Sequence, residues 1–232
     1  MEFLLLVEDR RDEGQRSPVA VDEMLRFARE LEAEGVLVTA AGPFASEAEG
    51  ARLRVRRGAT LVTSGPFEEP REVVGGCYLI DVADRAAAIE IAKRCPWARA
   101  GVIEVRALAR DPWLQREGQG ELYAFLYRSD PSDAGPVAPR IAEMHAFTLD
   151  RKREGVHVAG GRLPRETPPA FVEQREAQTL VVDGPFAETK EVVAGFALMR
   201  VASRAAALEL AGRVPHARWG SVEVRQVRTP HE

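Results

Sequence analysis

Most of the residues that announce a chemistry are scarce in this chain. Two cysteines occur in 232 residues, Cys77 and Cys95, with no metal or redox spacing between them. That argues against a disulfide-stapled secreted fold and reads as reduced core thiols of a cytosolic protein. The histidines, His145, His157, His216 and His231, show no His-x-His or His-x3-His spacing, so no metal centre is signalled and none is expected. Aromatic residues make up only 6%. The net charge of −4 carries neither a nucleic-acid nor a membrane-surface footprint. The apolar start, Phe3 to Val7, lacks a basic lead and is too short for a secretory signal or a bilayer span. There is no phosphate loop, dinucleotide glycine pattern, nucleophile elbow or zinc finger, so no cofactor is expected.

What is present is a repeat. Thr60-Leu-Val-Thr-Ser-Gly-Pro-Phe-Glu-Glu-Pro-Arg-Glu-Val-Val recurs as Thr179-Leu-Val-Val-Asp-Gly-Pro-Phe-Ala-Glu-Thr-Lys-Glu-Val-Val. Residues 60–80 and 179–199 share 12 identities in 21 positions, at an offset of 184 − 65 = 119. The same offset aligns Val102–Arg106 with Ser221–Arg225 and suggests Phe3–Val7 with Leu122–Leu126. Met24, Phe27 and Gly35 match Met144, Phe147 and Gly155 at 120. A period this long is a duplicated domain and not a solenoid unit. The boundaries read as 1–109, a linker over 110–120, and 121–232.

Within a half, the apolar run 3–7 suits a strand buried on both faces. Ser17-Pro18 signals a helix start, and Met24, Phe27, Ala28 and Leu31 form one helical face that Gly35 ends. A strand at 36–39, a hairpin over 52–63, a strand at 73–82 broken by Gly75-Gly76, a helix over 85–94 capped by Asp84, and a strand at 102–108 follow. Without the hairpin, the order is strand–helix–strand–strand–helix–strand, a ferredoxin-like α+β fold. Two helices cover one face of a four-stranded sheet, and the open face needs a partner. The other repeat supplies it, so the halves pack sheet to sheet as an intrachain pseudo-dimer, with or without a further homodimer of whole chains.

Asp183-Gly-Pro-Phe-Ala-Glu-Thr-Lys-Glu191, with the apolar strand, capped Ala-rich helix and terminal Val-Glu-Val-Arg225 that follow it, resembles the YCII-related, or DGPF-type, proteins. The resemblance implies a dimeric α+β barrel, a bacterial cytoplasmic setting and a cleft between two sheets. It also implies an association with extracytoplasmic-function sigma factors as possible partners. Family members with proposed acid–base chemistry carry a histidine on the first helix, where this chain has Met24 and Met144. His145 is the nearby substitute, about 100° round the helix. The first copy departs further, with Ser64 in place of the aspartate.

These residues define two readings. The first is a cleft that binds a small polar molecule, with or without a cofactor-free, lyase-like step. Its catalytic candidates are Asp183 and His145, and its ligand-binding candidates are Glu188, Lys190, Arg106, Arg225 and Glu223. The second is a non-enzymatic interaction module linked to transcriptional regulation. Bland roles compete throughout: Asp183 is a good turn residue, and Glu188, Lys190 and Glu191 suit a solvated loop. Glu104 with Arg106, and Glu223 with Arg225, share a sheet face that looks either into the cleft or at solvent. Arg52, Arg54, Arg56 and Arg57 read as a solvated hairpin face, because the second copy has Glu173, Arg175 and Glu176 at the last three of these positions.

Overall fold

A computed structural model describes residues 1–10, 19–65, 67, 72–109, 114–115, 118–130, 132–133, 135–175, 178–184 and 191–228. The first half contains β1 (Glu2–Arg10), α1 (Val21–Ala33), β2 (Leu37–Ala41), β3 (Ala51–Arg56), β4 (Ala59–Ser64), β5 (Glu72–Asp81), α2 (Arg85–Arg94) and β6 (Val102–Ala107). The second repeats the order as β7 (Glu121–Ser129), α3 (Val137–Arg153), β8 (His157–Arg162), β9 (Ala170–Arg175), β10 (Gln178–Asp183), β11 (Val192–Val201), α4 (Arg204–Arg213) and β12 (Ser221–Gln226).

Local chemistry explains the element ends. Asp84 and Ser203 each accept a backbone N–H from the first turn of α2 and α4. Gly35 and Gly155 take φ of +72° and +70° to end α1 and α3. The expected start of α1 at Ser17-Pro18 lies outside the described residues. From Val21 onward, Glu23 accepts the Ala20 N–H, half of a capping box, since alanine has no oxygen to reciprocate. Gly75 is the extra residue in a bulge of β5 against β1, where Val7 pairs with Gly76 and Glu8 with Val74.

The sheets are larger than the expected four strands, and the reason is an exchange. Their orders are β10-β9-β6-β1-β5-β2 and β4-β3-β12-β7-β11-β8. Hairpin β3–β4 of the first half thus extends the second sheet beside β12, and hairpin β9–β10 of the second half extends the first sheet beside β6. Isolated bridges Phe44–Val227 and Ala109–Arg162 continue these crossings, so β2 runs on into β3 and β8 into β9 from one sheet to the other. The result is a closed α+β barrel with helices outside both sheets.

Three apolar layers follow. Phe3, Leu5, Phe27, Leu31, Ile80 and Ile103 fill the layer under α1 and α2 and receive Ala170 and Val172 from the other half. Tyr123, Phe125, Met199 and Val222 do the same under α3 and α4, with Ala51 and Leu53. Between the sheets, Leu4, Leu6, Val74 and Cys77 meet Leu126, Val193, Phe196 and Leu198. At roughly 1.5–3 kcal/mol for each fully buried large side chain, this inner layer holds the halves together alongside the exchanged hairpins. Cys77 and Cys95 are free and buried, and burial pushes both thiols up to about 12.

One expected register changes. Phe3 pairs with Ile80 and Tyr123 with Met199, and 80 + 119 = 199, so β1 matches β7 at an offset of 120. Both strands are apolar throughout, so a one-residue slip leaves no trace in hydrophobicity although it moves every side chain to the other face. The corrected register makes Glu8 the counterpart of Arg128.

Candidate functional site

Strand alternation decides which charged groups enter the barrel. On β12, Val222 and Val224 face the helices, so Glu223 and Arg225 face inward. On β6, Ile103 and Val105 face the helices, so Glu104 and Arg106 face inward. The same rule places Glu8 on β1, Arg128 on β7, Arg52 and Arg54 on β3, and Phe171 and Glu173 on β9 on the inner side. Of the two faces left open by the sequence, the Glu–Arg pairs occupy the interior one.

The second copy's end of the interior is centred on Glu223, which is fully buried. Arg128 Nε donates to its Oε2 at 2.7 Å and Arg52 Nε to the same oxygen at 3.1 Å. Arg225 Nη1 donates to Oε1 at 3.2 Å. Arg225 also donates from Nε to the Ala45 carbonyl, 2.7 Å away in the other half. Nearer the rim, Glu191 pairs with Arg54 and lies 3.8 Å from Arg52. The Phe67 ring lies under the Arg52 guanidinium, 4.1 Å from its centroid. Burial alone raises the Glu223 pKa, but Arg128, Arg52 and Arg225 outweigh it and hold the carboxyl below its ordinary range. Glu223 is therefore an anion at neutral pH, shared by three cations.

The equivalent end in the first copy is built from the same strand positions with different charge. Arg106 Nη1 donates to Glu104 Oε1 at 2.9 Å and to the Val193 carbonyl at 3.3 Å. Where the second end has Arg52, Arg54 and Arg128, this end has Phe171, Glu173 and Glu8. Glu8, Glu104 and Glu173 are all buried.

A third pair of equivalent positions closes the strand ends. Trp97 Nε1 donates to the Glu8 carbonyl at 2.9 Å. In the second copy His216 Nε2 takes that position, 2.9 Å from the Arg128 carbonyl. Trp219 Nε1, which can only donate, points at His216 Nδ1 at 3.1 Å. Nδ1 is therefore the acceptor and Nε2 carries the proton. Burial first, then Arg140 and Arg165, lower the His216 pKa to about 4, against the opposing pull of the Arg128 carbonyl. Both nitrogens of this neutral ring are committed to the fold.

The other candidates fall elsewhere. Asp183 ends β10, the outer strand of the first sheet, is exposed, and pairs with Arg85 at 2.5 Å at the start of α2. His145 is exposed on α3, which covers the second sheet. The two therefore stand on different layers. Glu188 and Lys190 lie outside the described residues. Met24 and Met144 pack against the helix-side cores. Among the described residues no group of three or more His, Cys, Asp and Glu is arranged to hold a metal. No helix among them is long and apolar enough to cross a membrane.

Arg52 and Arg54 correct the expectation of a solvated hairpin face: Arg52 is largely buried and Arg54 meets Glu191 from the other half. The signal was the strict alternation of Arg52, Leu53, Arg54 and Val55, which assigns one face to a core and the other to whatever lies opposite it. The hairpin's exchange between halves, not readable from local sequence, makes that opposite side the interior. Arg128 and Glu8 were hidden by the register slip in β1.

Comparison with known proteins agrees with the repeat. The model of the YCII-related domain matches twice, over residues 1–111 and 122–230. An uncharacterised protein of Rhizobium meliloti (strain 1021) is 44% identical over 111 residues, 45% of this chain and 90% of that protein. A crystal structure of a putative chlorite dismutase aligns over 98% of this chain and 94% of its own, with a TM-score of 0.40 and 10% identity. The two matches cover nearly the whole chain, with the same strand–helix order in each, and the chain belongs to the YCII-related family as a tandem duplication of its domain.

Proposed function

We propose that this protein binds a small polar molecule at the second copy's end of the barrel interior. The observation that supports it is the convergence of Arg52 and Arg54 from one half with Arg128, Glu191, Glu223 and Arg225 from the other. A buried ion network of this size is poor value as a fold stabiliser, since well-packed apolar residues in its place are often as good or better. Side-chain exposure rises from 4% at Arg128 through 14% at Arg52 to 43% at Arg54, a graded line of cations from interior to solvent. Arg106 belongs to the equivalent, acidic end and is not part of this site.

The binding reading does not need the acid–base pair. Asp183 and His145 stand on different layers, so a lyase-like step through both would need them to act at separate places. A thermal-shift screen of small polar compounds tests the proposal. Concentration-dependent stabilisation that disappears in Arg52→Gln supports it, a ligand at 100 times its Kd raising stability by about 2.7 kcal/mol. No stabilisation by any compound, with Arg52→Gln unchanged in every respect, overturns it.

One observation favours the interaction-module reading as a second function. Strands β4 and β10 are sheet edges exposed along their whole length, and carry Leu61, Val62, Leu180, Val181 and Val182 into solvent. Such edges are templates for strand addition. The sigma-factor partner is tested by co-purification with wild type against Val62→Lys/Val181→Lys. Retention that these lysines abolish supports it, and no retention by wild type sinks it.

A further inference from the structure

Among the described residues, the second end of the interior carries a local excess of positive charge. Arg52, Arg54, Arg128 and Arg225 face Glu191 and Glu223. Glu8 also acts on Arg128 across the interior. Among the described interior residues, Arg52, Arg54, Arg106, Arg128 and Arg225 meet Glu8, Glu104, Glu173, Glu191 and Glu223, so the positive excess of this end is local and the acidic end carries the opposite one. A local excess of guanidinium groups draws an anion to this end rather than to the other. Arg128 is 3% exposed, and among the described residues its Nη2 has no hydrogen-bond partner. Its Nε is used on Glu223. A guanidinium held by one edge, with a buried N–H group left over, is half of a fork that binds planar oxyanions.

We infer that Arg128 Nη2, with Arg52 beside it, is the seat for the carboxylate group of a small molecule entering past Arg54. The inference rests on the small-molecule reading above and names its chemistry. A planar fork matches the two coplanar oxygens of a carboxylate, and a phosphate dianion costs more to desolvate at a seat this buried. The Phe67 ring that stacks on Arg52 gives the seat one apolar wall. The equivalent end of the barrel supplies the contrast: Phe171, Glu173 and Glu8 stand where Arg52, Arg54 and Arg128 stand here, and although Arg106 also keeps a buried Nε without a partner among the described residues, Glu8, Glu104 and Glu173 are buried at that end with it. Three buried carboxylates repel an anion at that end, where four arginines attract one here.

Acetate is the probe, titrated into the full chain at constant ionic strength, with inorganic phosphate and chloride as comparators. Binding is read from chemical-shift changes of the arginine side-chain Nε–H signals. Acetate should saturate the Arg128 signal while chloride does not, and phosphate should bind at least tenfold more weakly. Arg128→Gln should weaken acetate at least tenfold. Glu8→Gln, which removes a competing charge and keeps the fork, should tighten it severalfold, and decides the matter alone if Arg128→Gln does not fold. Equal responses to the three anions, or no effect of Glu8→Gln, overturns the seat. If acetate fails but a screened compound binds and is lost in Arg52→Gln, the carboxylate assignment is wrong and the small-molecule reading survives. If neither binds, both fall.

Discussion

The two ends of the barrel interior are copies that have taken opposite charge. Glu104–Arg106 and Glu223–Arg225 are retained at both, on equivalent strands. Around them Glu8 is the counterpart of Arg128, Glu173 of Arg54, and Phe171 of Arg52. In a symmetric homodimer each such pair would be one residue, and any change at one end would appear at the other. Fusion of the copies into a single chain removes that constraint. The shared Glu–Arg pairs are what the barrel needs at both ends; the surrounding differences are where the ends can serve different purposes.

The largest effect should come from separating the halves. Each contributes a hairpin to the other's sheet, so fragments 1–109 and 121–232 each lose two strands of their own sheet and bare the inner apolar layer. Alone, each should aggregate or self-associate in light scattering, and mixing them should restore one species. A monodisperse monomer of either fragment would contradict the exchange.

Next in size is the difference between the two central glutamates. Glu223→Gln leaves Arg52, Arg128 and Arg225 without their shared anion and should cost about 3–5 kcal/mol in urea unfolding. Glu104→Gln strips only Arg106, which keeps the Val193 carbonyl, and should cost less. Equal losses would show that the ends are energetically alike. The pH dependence carries the same signature. The Glu223 carboxyl has a lowered pKa when folded, so its contribution is complete above its unfolded value of 4.5 and is lost as pH falls through the folded value below that.

His216 and Trp97 sharpen the comparison with a titration that only one copy can show. The folded His216 pKa of about 4 lies below the ordinary 6.5, so the unfolded chain takes the proton first on acidification. Stability from the neutral ring is complete above 6.5 and falls between 6.5 and 4, by on the order of 3 kcal/mol. The double change His216→Trp/Trp219→Ala copies Trp97 and Ala100 into the second half. Its urea midpoint should become flatter over that pH range. An unchanged slope would remove His216 from the account.

The smallest effect is expected at Asp183. Its ion pair with Arg85 is exposed and worth at most about 1 kcal/mol. Asp183→Ser, the residue found at Ser64, should leave the urea midpoint nearly unchanged. Unfolding would make Asp183 a structural turn residue of real weight.

The sequence made the repeat, the α+β order and the helix caps legible because each rests on local pattern: motif identity, period and capping side chains. It also marked Glu223, Arg225 and Arg106, since alternation alone limits them to two faces. What it left out was long-range. Nothing local to Arg52 and Arg54 says that their hairpin crosses to the other half. The uniform apolar run of β1 carries no register, so Glu8 and Arg128 could not be matched. Motif identity drew notice to Asp183, which lies at an exposed sheet edge, while the last residue of the same motif, Glu191, reaches the interior cluster.

The unequal ends can be tested on one pair of equivalent positions. Stabilisation by the most effective compound from the thermal-shift screen is measured in Arg54→Gln and in Glu173→Gln, beside wild type. The account predicts that the ligand-induced shift is lost or greatly reduced in Arg54→Gln and kept in Glu173→Gln. Equal shifts in the two variants would contradict it.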